Sequence, residues 1–177
     1  MNYNNSGRKN HSKQNKEKII KAAISLINEK GFDNVSVSEI TKAAGVSKGA
    51  FYIHFNSKED LIEQEISLFY DEMKLDESKS KYDRLEHFLL ESIKHIKASG
   101  LKMAQEWFSH SVKASFYGKS KLSYDRKTIN EIVNDESLTD EIVSIYYGAL
   151  NMWCFTDGEV EAELIVNNYL KEIKERL

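Results

Sequence analysis

Apolar residues along this 177-residue chain recur at spacings of three and four over most of its length, the period of one face of an α-helix. Over 16–30 they fall at Ile19, Ile20, Ala23, Ile24, Leu26 and Ile27. Gly31 follows Lys30, so this helix ends with a base in its last turn and a glycine cap. Phe32 is placed to fold back onto it. Ser36-Val37-Ser38-Glu39 has the form of a capping box, in which the serine hydroxyl takes a backbone N–H and the glutamate reaches back. The short helix it opens turns Val37, Ile40, Ala43 and Ala44 inward and stops at Gly45. Ser47 then caps a two-turn helix over 48–55, with Phe51 and Phe55 one turn apart on its core side. Ser57, with Asp60 three residues on, caps a fourth helix running from 58 to 73 or 75.

Segment 76–81 has no apolar member and reads as a boundary. Five further helical stretches follow, at about 82–98, 102–116, 124–134, 138–155 and 158–176. Strand-like alternation occurs only inside stronger helical patterns. The predicted fold class is all-α: an N-terminal three-helix helix-turn-helix head and a C-terminal helical bundle. Residues 1–13, polar and without periodicity, read as a flexible basic tail, 14–75 as the head and 80–177 as the bundle.

Composition narrows the function classes. Apolar residues make up 41% and charged residues 30%, which fits neither a disordered nor a membrane protein. No run approaches the roughly 18 apolar residues of a membrane span, and the first residues lack the apolar stretch of a secretory signal. There is no proline, so helix breaks must rest on Gly, Ser, Asn or Asp. The single cysteine, Cys154, excludes an intrachain disulfide and a cysteine zinc cluster and suits a cytoplasmic setting. His87 and His95 are eight apart on one helix, too far for an i, i+4 metal pair. Phosphate-loop, dinucleotide, nucleophile-elbow and His-Glu-x-x-His patterns are missing. We therefore expect no enzyme activity, no metal and no cofactor.

The net charge of −3 averages two unlike parts. Residues 1–58 carry ten Lys/Arg and four Asp/Glu, a balance of +6, and the remaining 119 residues carry −9. One end of the chain is thus suited to an anionic partner.

The segment from Ser36 to Lys58 names that partner. Short helices joined by a tight glycine turn form a helix-turn-helix. The turn needs a residue able to take positive φ, and Gly45 supplies it. The helix after the turn must present small or polar residues to a major groove. Ser47, Lys48, Gly49 and Ala50 meet that demand, and Tyr52, His54 and Lys58 offer donors to phosphates.

Residues 36–61, with Gly45-Val46-Ser47-Lys48-Gly49, Tyr52, His54-Phe55 and Ser57-Lys58, resemble the DNA-binding signature of TetR/AcrR-type bacterial transcription regulators. The likeness spans roughly residues 14–74. Two positions depart from it: Ala50 stands where the family often has threonine, and Ile53 where an aromatic residue is common. The resemblance implies that Ser36 and Ser38 open the helix crossing the DNA backbone. It places Ser47, Lys48, Gly49 and Ala50 at the major groove, and Tyr52, His54 and Lys58 on phosphates. It implies a double-stranded operator as partner, a small-molecule effector and a homodimer.

For the dimer, the apolar stripes of the last two helices offer Ile142, Ile145, Ala149, Leu164, Tyr169 and Ile173. For the effector, aromatic and polar residues mix at Met103, Trp107, Phe108, His110, Tyr117, Tyr146 and Trp153. The expected function is a regulator, a repressor released from a palindromic operator by the effector. An architectural or cell-division factor using the same head without an effector is the alternative. A helical enzyme or carrier with a vestigial head is a third reading, against which Lys48, Tyr52 and Lys58 stand.

Overall fold

The structure, a computed structural model, describes the backbone of residues 4–115 and 121–177, and the side chains of all these except 4–10, 66, 67, 110–115 and 121–123. The described residues form nine α-helices and no strand. In chain order they are α1 (Asn4–Lys30), α2 (Val37–Ala44), α3 (Lys48–His54), α4 (Lys58–Glu72), α5 (Lys81–Ser99), α6 (Leu101–Ser115), α7 (Lys121–Val133), α8 (Glu136–Phe155) and α9 (Ala162–Ile173). The chain divides into two compact units, Met1–Leu68 and Phe69–Leu177.

The first unit is built around the stripe read from α1. Ile19, Ile20, Ala23 and Ile27 are buried with Val35, Ile40, Phe51, Phe55, Leu61 and Ile62. Each large side chain removed from water in this way contributes about 1.5–3 kcal/mol. Gly31 ends α1 at φ +80°, its N–H donating to the Ile27 carbonyl at 2.8 Å. The capping box forms as the sequence predicts. Ser36 Oγ accepts from the Glu39 N–H at 3.2 Å, and the Ser36 N–H donates to Glu39 Oε2 at 2.9 Å. Lys30 Nζ reaches Glu39 Oε1 at 3.0 Å and ties the end of α1 to the start of α2. The Ser36 backbone bond, followed by Lys30, holds the Glu39 carboxyl at a pKa of about 2. Ser57 Oγ accepts from the Asp60 N–H at 3.1 Å, so the predicted cap of α4 is also present.

Three features differ from the sequence reading. Helix α1 begins at Asn4, inside the segment read as a tail. Once the packed isoleucine face has nucleated the helix, each added residue gains a hydrogen bond without the cost of a new nucleus, and no proline stands in the way. On α2, Ala43 is exposed and Thr41 is buried instead. The Thr41 hydroxyl satisfies itself by donating to the Ser38 carbonyl at 3.1 Å, which lets a polar residue occupy a core position. The division between units falls inside α4 rather than at 76–81, because the last turn of α4 packs within the second unit. There Phe69 stacks on His95 at 4.1 Å, and Tyr70 stacks on Tyr124 at 5.6 Å.

In the second unit α5, α7, α8 and α9 surround a core that includes Leu85, Phe88, Leu89, Ile129, Ile142, Tyr146, Leu150, Val166 and Leu170. Ser80 caps α5 and Asp135 caps α8, accepting from Asp83 and Leu138. Helix α9 starts at Ala162 rather than near 158. Asp157 and Gly158 both take positive φ, +50° and +89°, and two left-handed residues in succession break a right-handed helix.

Candidate nucleic-acid interface

Helix α3 is held in place by one face and presents the other. Phe51 and Phe55 are almost wholly buried, their ring centroids 5.3 Å apart. The chain enters α3 through a Schellman turn. The Val46 N–H donates to the Thr41 carbonyl at 3.0 Å and the Gly45 N–H to the Lys42 carbonyl at 3.3 Å. Gly45 sits at φ +67°, ψ +34°, the left-handed conformation this motif requires. Ser47 Oγ then caps α3, accepting from the Ala50 N–H at 3.1 Å.

With that anchor, residues 48, 49, 52 and 53 are exposed and Ala50 is half-buried. Lys48 and Tyr52, four apart, form a polar row on the helix surface. Tyr52 is 58% exposed, its ring meeting Phe51 edge-on at 5.3 Å. His54 is half-buried. Burial, then the nearby charge of Lys16, lowers its pKa below the usual imidazole value. A neutral imidazole keeps one N–H donor and one acceptor. Ser38 is exposed on the first turn of α2, and Ser36, also exposed, has its hydroxyl oxygen in the capping box.

Lys58 is engaged within the head itself. Its ammonium donates to the Phe32 carbonyl at 2.7 Å and lies 4.2 Å above the Phe32 ring. The carbonyl and the ring's negative face together hold a half-buried cation. Lys58 thus ties the start of α4 to the turn after α1.

The family model described as "Bacterial regulatory proteins, tetR family" matches residues 19–64, the stretch that carries this packed head. Residues 19–64 are a TetR-family DNA-binding domain. The protein is a DNA-binding transcriptional regulator. The biofilm operon icaADBC negative transcriptional regulator IcaR of Staphylococcus aureus is 28% identical over 144 residues, covering 67% of this chain and 77% of that protein. The transcriptional regulator YvdT of Bacillus subtilis is 54% identical over 46 residues, 26% of this chain and 24% of that one. Among solved structures, the fatty acid degradation regulator FadR of Bacillus halodurans superposes with a TM-score of 0.66 at 24% identity, covering 88% of this chain and 92% of that one. A TetR regulator from Rhodococcus sp. RHA1 gives a TM-score of 0.66 at 18% identity, covering 95% and 99%. These structural likenesses extend the fold assignment over nearly the whole chain.

The described effector candidates belong to the second unit. Met103, Trp107, Tyr146 and Trp153 are core residues of the second unit. Phe108 is half-buried, edge-on to Tyr147 at 6.0 Å. The side chains of His110 and Tyr117 lie outside the described residues. None of the described five lines a cavity of about 250 Å³ in this unit. That cavity is lined by Tyr70, Asp71, Met73, Leu75, Phe88, Tyr124, Lys127, Thr128 and Glu131. Among the described residues this aromatic stripe on α6 and α8 is part of the packed core.

The dimer candidates split in the same way. Ile142, Ala149 and Ile173 are buried in this chain's own core. Ile145 and Tyr169 are half-buried. Leu164 is exposed, as are Met152 and Phe155.

Beside the cavity lies a cluster the sequence reading missed. Asp125 is wholly buried and accepts from the Tyr70 hydroxyl and, at 2.8 Å, from the Tyr147 hydroxyl. Burial is the largest of the influences pushing both phenols well above their usual pKa, the Asp125 charge adding to it. A signal for this existed. Asp125 precedes Ile129 and Ile132 at spacings of four and three, an acid on the buried stripe of α7.

Proposed function

We propose that this regulator is a repressor that binds a palindromic operator as a homodimer and is released by a small effector held in its second unit. The observation that carries the DNA half is the outward row of Lys48 and Tyr52 on an α3 locked by Phe51 and Phe55. Gly49 and Ala50 beside it allow close approach to base edges, Ser38 and Tyr52 reach phosphates, and His54 adds a donor. The +6 balance of residues 1–58 supports an anionic partner at this end. Two heads on one face of DNA would meet half-sites about 34–36 Å apart, or a multiple. The exposed apolar residues Met152, Phe155 and Leu164 support a second copy against α8 and α9. The cavity in the second unit supports an effector over an architectural role. An effector that prefers a form with misplaced heads would weaken DNA binding about 5- to 150-fold, the effect of about 1–3 kcal/mol of coupling.

The test is fluorescence anisotropy with duplexes from the protein's own upstream DNA, titrated over salt. Replacing Lys48 and Tyr52 together by Ala should abolish specific binding while leaving the circular dichroism spectrum intact. Lys48→Ala alone should lower the slope of log affinity against log salt by about one. Unchanged binding by the double variant would overturn the reading.

A further inference from the structure

Beside the polar row of α3 runs a second row with no hydrogen-bonding side chain at all. Gly49, Ala50 and Ile53 are related by spacings of four and three, so they share one strip of the helix surface. Ile53 is 78% exposed. An isoleucine left in water forgoes the stabilisation that burial would bring, and here it stands on the outward side of the helix, two residues beyond buried Phe51. Its surroundings are charged the right way for DNA. Lys48 stands on the same short helix and residues 1–58 carry +6. In a major groove the base-edge feature that an aliphatic side chain recognises is the C5-methyl of thymine.

We propose that Ile53 reads a thymine methyl, so that each operator half-site carries a thymine opposite Ile53 and is discriminated there by apolar contact. Gly49 and Ala50 lack bulk, which lets the α3 backbone approach closely enough for Ile53 to reach the methyl. The flanking bonds to phosphate from the Lys48 and Tyr52 row set the register. The proposal rests on α3 being the reading helix, and its test separates the two.

A high-affinity duplex is first selected from a randomised pool with the full chain. Each thymine of a half-site is then replaced singly by deoxyuridine, which keeps every hydrogen bond and removes only the methyl. For the unaltered protein, one or two adjacent replacements per half-site should weaken binding about fourfold, the value of one buried methyl. Ile53→Ala should bind the thymine duplex more weakly and lose the penalty at that position, binding the thymine and uracil duplexes alike. Ile53→Val should keep the penalty. Because Ile53 is exposed, both variants should unfold at the same urea midpoint as the unaltered chain.

Equal binding of thymine and uracil duplexes at every position would overturn the proposal and leave α3 as the reading helix. So would a penalty that survives in Ile53→Ala, which would place the methyl against another residue. Failure to select any duplex would overturn both.

Discussion

Substituting Gly45 tests whether the turn into α3 is held by backbone conformation alone. The residue sits at φ +67°, and a Cβ built there would meet nothing within 4 Å. Steric crowding therefore adds nothing to the cost of Gly45→Ala. What remains is the preference of an L-residue against the left-handed region, about 1–2 kcal/mol. Against it stands the reduced freedom of the unfolded chain, worth about 0.4–1 kcal/mol. The net loss should be about 1 kcal/mol, a fall in Tm of about 2–4 °C for a chain of this size. Asparagine tolerates the left-handed region far better, so Gly45→Asn should cost less than half as much. Gly158→Ala provides the contrast. Its φ is +89°, and its Cβ would stand 3.3 Å from Trp153 Nε1 on a buried side chain, so strain and crowding add and the loss should exceed that at Gly45.

The measurement is urea unfolding of the full chain. Trp107 and Trp153, the two tryptophans, both belong to the second unit. Far-ultraviolet circular dichroism must therefore follow the head, while tryptophan fluorescence follows Gly158→Ala. Equal losses for Gly45→Ala and Gly45→Asn would refute the conformational argument. A loss above about 3 kcal/mol for Gly45→Ala would refute the open space beside it.

Two further outcomes follow from the hydrogen bonds. Glu39 has a folded pKa of about 2 against 4.5 unfolded, so its contribution is fully present above pH 4.5 and is lost as pH falls toward 2. The urea midpoint of the head should fall across that window, and Glu39→Gln should flatten the fall while lowering the midpoint at pH 7. In the second unit, Tyr147→Phe deletes one hydroxyl donor to the buried Asp125 carboxylate and should cost about 1.5–3 kcal/mol, the range for hydrogen bonds to charged groups, read from fluorescence-detected unfolding.

The head was legible in the sequence because its constraints are local. Ser36 and Glu39, Ser57 and Asp60, and Gly31 and Gly45 each act within a few residues of chain, and such signals stand in order along the sequence. The body was not legible to the same depth, because its partners are far apart in the chain. Tyr70 and Asp125, or Phe69 and His95, meet only once the helices have packed. Helical periodicity locates a stripe but does not say which neighbour it covers. Ile142 and Ile145 lie on the same predicted stripe, yet the first is buried in its own chain and the second is half-exposed. An aromatic stripe fits core packing and cavity lining equally well: Met103 and Tyr146 are buried in the core, while Tyr70, Phe88 and Tyr124 line a cavity.

Some residues of the motif hold the head together and others only face outward. A hydroxyl that accepts a backbone N–H keeps its own O–H to donate, and an ammonium bonded to one carbonyl keeps further N–H donors, so holding the fold and meeting a phosphate are compatible. Ser36 and Ser47 are caps, and Lys58 is a tie to Phe32. Their presence in the motif is accounted for by the geometry of the head before any DNA is considered. The outward side chains of Lys48, Tyr52 and Ile53 support no such internal structure, and Tyr52 and Ile53 are more than half exposed. Two of the three supply charge and a hydroxyl, which suit the sequence-independent backbone. Only Ile53, with the close approach allowed by Gly49 and Ala50, adds an apolar means of telling one base pair from another. If Ile53 reads a thymine methyl as proposed, operator choice turns in part on a position where TetR-type heads commonly carry an aromatic residue, beside the readout open to Lys48 in the same groove.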